Sequence, residues 1–119
     1  MKKERTDIEI KIAHRWQDLL YEMKGKFGRK PDLQSMLFLI GVQELGQTDK
    51  EFTKEEKQDL MHIAVCRLLS EEGVYELTHV DEDGWPHYLQ IAEHPDFNLV
   101  EQEHLLKKLI LVYFDMLNN

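Results

Sequence analysis

Apolar residues recur every three or four positions in the first part of the chain, over residues 8–23. This spacing places their side chains on one face and predicts a first helix. Thr6 or Asp7 is suited to cap its first turn. Gly25 and Gly28 favour the end of this helix, so the basic stretch around them is expected to be a connector.

A second helix is predicted from Pro31 to about Leu45. Proline suits a first helical turn, and Asp32 complements the positive end of the helix dipole. The middle of this segment, residues 36–42, is apolar around its whole circumference. A helix of this kind is covered on all sides by other elements, so it is expected to be the central helix.

A third helix is predicted over residues 54–72. Thr53 and Glu56 match a capping box at its start, and Gly73 suits its end. The face that it is expected to bury consists of Met61, Ala64, Val65 and Leu68, with Leu60 and Leu69 at the margins.

A fourth helix is predicted to follow Asn98, which with Glu101 repeats the capping pattern more weakly, and to continue to the end of the chain. Its amphipathic face consists of Leu99, Leu106, Leu109, Ile110, Tyr113, Phe114 and Leu117.

The residues between the third and fourth helices do not have a helical pattern. Residues 74–80 and 85–89 are typical of two strands, and the acidic residues 81–84 are typical of the turn between them. Pro86 restricts the second strand to an edge or to a distorted pairing. We therefore expect a mainly α, single domain over residues 1–119, with four helices and a hairpin-like excursion before the last.

Composition agrees with an ordinary globular domain, since 42% of the residues are hydrophobic and 32% are charged. The longest apolar run is far shorter than the roughly 20 residues that span a bilayer. Charged residues interrupt the N-terminal stretch where a signal peptide would be apolar. The single cysteine, Cys66, forms no internal disulfide. These features predict a cytoplasmic protein without a membrane segment.

The net charge of −8 is unevenly distributed. Residues 1–30 carry nine Lys and Arg against five Asp and Glu, and residues 31–119 carry six against eighteen. An acidic field of this size repels nucleic acid, so nucleic acid is an unlikely partner. The basic connector, residues 24–30, is expected to pair with acidic protein surface.

Glu44 is the least expected charge in the second helix, because it follows Leu33, Leu37 and Ile40 on the same side. A buried carboxylate needs a cation or hydrogen-bond donors. Glu44 is therefore paired with Arg or Lys from another helix, exposed to solvent at the helix end, or used to bind a ligand or catalyse a reaction. With the adjacent Gln43, it is the candidate ligand-binding site.

Aromatic side chains are concentrated after the acidic turn, at Trp85, His87 and Tyr88. A loop tryptophan either closes the open end of a core or anchors a partner protein. These three residues are the candidate interaction site.

Metal binding is suggested by Glu101 and His104, spaced as in ferritin-like sites, and by Asp59 and His62. Helical geometry places Glu101 and His104 opposite the apolar face, where they would face water rather than a bundle core. His79, His87 and His94 lack a known zinc spacing. We expect no metal and no cofactor.

Asp59, His62 and Cys66 share one flank of the third helix, which gives a row of acid, base and thiol. Cysteine in mid-helix lacks the N-terminal amides that lower a thiol pKa. The row is therefore expected not to be a catalytic centre.

Two segments, residues 38–46 and 83–88, resemble parts of a small bacterial protein family without an assigned function. The resemblance implies no activity. The sequence thus predicts a protein-interaction or accessory module that binds a protein partner or associates with itself. The alternative is a small-ligand-binding protein or enzyme with a site near Glu44.

Overall fold

The computed structural model describes residues 2–47 and 50–118. The elements in chain order are α1 (Lys2–Phe27), α2 (Leu33–Leu45), α3 (Lys54–Ser70), β1 (Tyr75–Val80), β2 (Pro86–Gln90) and α4 (Leu99–Leu117). The mainly α class and the small hairpin between the third and fourth helices are confirmed. In this part of the chain, no helix is both long and apolar enough to cross a membrane.

The first helix is longer than its apolar pattern predicts. The predicted caps Thr6 and Asp7 lie inside α1, and Gly25 does not end it. An interior glycine costs about 1 kcal/mol relative to alanine but does not force a helix to stop. The chain leaves the helix at Gly28, whose φ of 83° is left-handed. The first part of the basic connector is therefore helical.

The second helix enters the main core, but it is not covered on all sides as predicted, because Phe38, Leu39 and Val42 are half-buried. Met36 and Ile40 have no exposed surface, and Leu37 is buried with them. The helix begins after Pro31 rather than at it, because the Asp32 carboxylate accepts a hydrogen bond from the Ser35 N–H at 2.8 Å and caps the first turn.

The third helix has the predicted capping box at Thr53 and Glu56. Its buried face is wider than predicted, because α3 packs against the hairpin and α4 as well as α2. Met61 and Val65 are only half-buried. The residues that α3 buries are Leu60, Ile63, Ala64, Cys66, Leu68 and Leu69.

The strands form one antiparallel pair with an irregularity between Leu77 and His79. Trp85 lies in the turn, one residue before the strand that was predicted to contain it. The second strand begins at Pro86, the position where a proline removes no hydrogen bond from the strand interior.

The fourth helix begins with the predicted capping box of Asn98 and Glu101. Leu109, Ile110 and Tyr113 enter the core. Leu99 was predicted to lie on the buried face but is 79% exposed, because the first turn of α4 extends past the elements that cover the rest.

Candidate functional site

The Glu44 carboxylate is paired within the protein. Tyr113 donates a hydrogen bond to Glu44 Oε2 at 2.6 Å, and Arg67 Nε lies 3.4 Å from Glu44 Oε1. The guanidinium of Arg67 also lies over the Tyr113 ring, 5.6 Å from its centroid. Gln43 is exposed and does not join this cluster. Both carboxylate oxygens of Glu44 thus have partners, which is the structural pairing that the sequence left open.

The environment of Tyr113 favours its neutral form. Burial, followed by the hydrogen bond to Glu44, raises the pKa of Tyr113 well above its ordinary value. Burial, and then the charge of Glu44, also raises the pKa of Tyr88. A group whose pKa is raised by folding contributes stability below its unfolded pKa and loses it as pH increases.

We therefore expect Tyr113→Phe to lower the free energy of unfolding by about 1.5 to 3 kcal/mol at neutral pH, because it removes a hydrogen bond to a charged acceptor. Above about pH 10 this difference should shrink by up to about 1.4 kcal/mol per pH unit, because tyrosine ionises in the unfolded chain first. Urea denaturation at neutral and alkaline pH measures both effects. Tyr21→Phe is the control, since Tyr21 is 73% exposed. A pH-independent difference would contradict the assignment.

A cleft of about 360 Å³ lies between α3 and the hairpin. The three residues predicted to form the interaction site, Trp85, His87 and Tyr88, all line it. The opposite wall is the flank of α3 that carries Asp59, His62 and Cys66. The structure thus brings together two groups of residues that the sequence had indicated separately, and this cleft is the candidate functional site.

Asp81 fixes the hairpin wall of the cleft. One of its carboxylate oxygens accepts hydrogen bonds from the N–H groups of Asp83 and Trp85, at 2.9 and 3.0 Å. The other lies 2.9 Å from His87 Nε2. The hydrogen bond with His87, followed in size by the one from the Trp85 N–H, lowers the pKa of the Asp81 carboxyl. Asp81 is therefore a fixed negative charge beside Trp85, a role that sequence analysis did not assign to it.

Trp85 both packs against buried residues and lines the cleft. It packs with Tyr88 against a small buried cluster of Leu45, Leu60 and Ile63. Trp85 is only half-buried, however, and it also lines the cleft. Lys50 Nζ lies 6.0 Å from the centroid of the indole ring. This distance is at the outer limit of a cation–π contact.

The acid, base and thiol of α3, Asp59, His62 and Cys66, lie on one flank of the helix, as predicted. His62 Nε2 and Cys66 Sγ are 3.5 Å apart. Cys66 is only 2% exposed, and burial raises the pKa of its thiol to about 11. The thiol is therefore neutral at physiological pH, and a neutral thiol is a weak nucleophile.

The histidines of the hairpin pack on one another. The rings of His79 and His87 stack at 4.5 Å with an angle of 2° between their planes. A ligating imidazole directs its nitrogen lone pair within the plane of its ring, so parallel stacked rings are poorly placed to share one ion. His94 is bonded elsewhere, with Nε2 2.7 Å from the Tyr75 hydroxyl.

The Glu101 and His104 side chains are exposed, as the helical geometry predicts. Glu101 also has a structural task, since its carboxylate accepts a hydrogen bond from the Asn98 N–H at 3.2 Å. Over residues 2–47 and 50–118, no group of three or more His, Cys, Asp or Glu side chains is placed to hold a metal ion.

The basic connector makes contacts within its own chain. Lys26 Nζ lies 3.5 Å from a Glu22 carboxylate oxygen, and Lys30 donates a hydrogen bond to Gln17 at 2.6 Å. Two of the four cations of the connector, Lys26 and Lys30, therefore have partners on α1.

No protein-family model, curated protein or solved structure matches the chain. The resemblance of two segments to a bacterial family therefore stays an expectation.

Proposed function

We propose that the protein is an interaction module that binds a basic segment of a partner protein in the cleft between α3 and the hairpin. The observation that carries this proposal is the convergence of two carboxylates, Asp59 and Asp81, on a cleft walled by Trp85. A lysine or arginine side chain is the group that such a lining recognises. The carboxylates attract its charge, and the indole ring packs against it.

The distribution of charge supports a basic partner. Residues 31–119, which supply every residue of the cleft, carry six Lys and Arg against eighteen Asp and Glu. An excess of one sign around a binding site steers partners of the opposite sign towards it. Glu82 and Asp83 add two exposed carboxylates at the turn next to Trp85.

The protonation of the thiol in the cleft favours a binding function over catalysis. Cys66, its one thiol, is buried and protonated at neutral pH. The alternative, a ligand or reaction at Glu44, has less support because Glu44 does not line the cleft and its charge is paired with the permanent cation of Arg67. A cytoplasmic location belongs to the proposal and is supported by the single unpaired cysteine.

The proposal is tested with short synthetic peptides rich in arginine, compared with acidic peptides of the same length. The readout is tryptophan fluorescence in a Trp16→Phe background, in which Trp85 is the one remaining tryptophan. We expect saturable changes for the basic peptides alone, and weaker binding as salt increases because exposed charges are screened.

Asp59→Asn is the informative variant, because Asp59 lies on the exposed surface of α3. We expect it to weaken basic-peptide binding by about threefold, the size of one solvent-exposed ion pair. Glu103→Gln, which removes an exposed charge from α4 away from the cleft, is the matched control. Equal affinities for the two variants, or no response of Trp85 to basic peptides, would refute the proposal.

A further inference from the structure

A second surface stands apart from the cleft. A groove of about 430 Å³ lies between α1 and the beginning of α4. Its apolar lining includes Ile12 and Trp16 of α1, and Phe97 and Leu105 on the other side. We call it the α1–α4 groove.

The apolar stripe of α1 continues beyond the core that covers its second half. Trp16, Leu19, Leu20 and Met23 are buried. Between residues 7 and 15, however, Ile12 alone is partly buried and every other residue is exposed. Ile8 lies one turn before Ile12 on the same stripe and is 56% exposed. The first half of α1 thus presents an apolar edge that no other described part of the chain covers.

The exposed apolar edge follows the first half of α1, where Ile8 is 56% exposed and Ile12 is half-buried. A helical segment of about three turns is marginal in water without tertiary contacts. Clustered exposed apolar side chains at such a segment mark a surface for association.

Charges on this surface identify the partner. The groove is rimmed by acidic Glu9 and Glu101 and by basic Lys107 and Lys108. This mixture contrasts with the chain as a whole, whose net charge of −8 repels a second copy elsewhere. A strongly basic or strongly acidic partner would meet like charges here. A second copy carries charges of both signs on the same surface, so its acidic residues can lie against the basic ones and its basic residues against the acidic ones.

We infer that two copies of this chain associate through this surface, with the first half of α1 from each copy packed in the α1–α4 groove of the other. Ile8 and Ile12, four residues apart, are the anchors of a helix lying in a groove. Each copy supplies both a helix and a groove, so the contact closes on itself with two-fold symmetry. The inference is independent of the proposed function, because the groove shares no lining residue with the cleft.

Sedimentation equilibrium of the full chain tests this inference. We expect a concentration-dependent mass that rises from 14.2 kDa towards twice that value. Ile8→Lys should weaken the dimer by about tenfold or more, because it places a charge in an apolar contact.

The chain supplies a matched control at Ile10. Ile10 is 47% exposed and lies about 200° around α1 from Ile8. Ile10→Lys introduces the same charge on the same helix and should leave the dimer unchanged. A wild-type monomer at high micromolar concentration, or an equal effect of the two variants, would overturn the inference.

Amide hydrogen exchange of the wild-type protein gives a second measurement that requires no variant. Exchange in residues 8–16 should slow as the protein concentration increases, because a dimer covers this part of α1. Exchange in the hairpin should not change with concentration. Concentration-independent exchange in residues 8–16 would also overturn the inference.

Discussion

Replacement of Ile40 by alanine is expected to lower the free energy of unfolding by about 2 to 5 kcal/mol. Ile40 has no exposed surface and packs in the main cluster with Met36 and Leu37 of α2. Removing its three side-chain carbons beyond Cβ loses apolar burial and leaves a cavity that well-packed neighbours fill only in part. The loss is a large share of the roughly 5 to 15 kcal/mol that stabilises a typical domain.

Chemical denaturation measures this loss, and Ile10→Ala is the control. It deletes the same atoms from a helix position that is 47% exposed, so the expected change is within about 0.5 kcal/mol. Glu101→Ala is a less neutral control, because it breaks the capping hydrogen bond to Asn98. Equal and small losses for the two isoleucine variants would mean that Ile40 is not buried in the core.

Local sequence was sufficient to predict where most elements begin. Thr53 with Glu56 and Asn98 with Glu101 were expected to cap helices, and both pairs form reciprocal hydrogen bonds. Each such cap is formed by two residues three positions apart, so it can be recognised from a short stretch of sequence. The hairpin was predicted for the same reason, from an acidic turn between two short strand-like segments.

Burial was harder to predict than helix position. Leu99 lies on the apolar side of α4 but projects past its neighbours, whereas Ile63 is buried although it was not among the residues expected on the buried face of the third helix. Periodicity reports which side chains share a face of one helix. It carries no information on how far the neighbouring elements extend, so the ends of a face are where the prediction fails.

The candidate site could be predicted only in parts. Trp85, His87 and Tyr88 were recognised as a group because they are close in sequence, and so was the row on α3. That the two groups line one cleft depends on how the hairpin folds back on α3, which no short-range pattern encodes. The sequence likewise could not identify which residues pair with Glu44, because Arg67 and Tyr113 come from two other helices.

The contact between the second and third helices depends on a glycine. A Cβ atom at Gly41 would overlap the carbonyl oxygen and carbon of Leu60 on α3. Because the obstructing atoms are backbone, no side-chain rotation can relieve the overlap, and the two helices would have to move apart. That movement would disturb the packing of both, including Ile40 and Leu60, which have no exposed surface.

Gly41→Ala is therefore expected to lower the free energy of unfolding by about 1 to 3 kcal/mol or more, the cost of overpacking a core. This cost opposes the gain of about 1 kcal/mol that alanine brings to a helix interior through its higher helix propensity. Gly25→Ala isolates that gain, since a Cβ at Gly25 in α1 would meet no other atom within 4 Å. In both thermal and urea denaturation, Gly25→Ala should thus raise the free energy of unfolding, and Gly41→Ala should lower it. If Gly41→Ala also stabilised the protein, α2 and α3 would not approach as closely as their backbones do here.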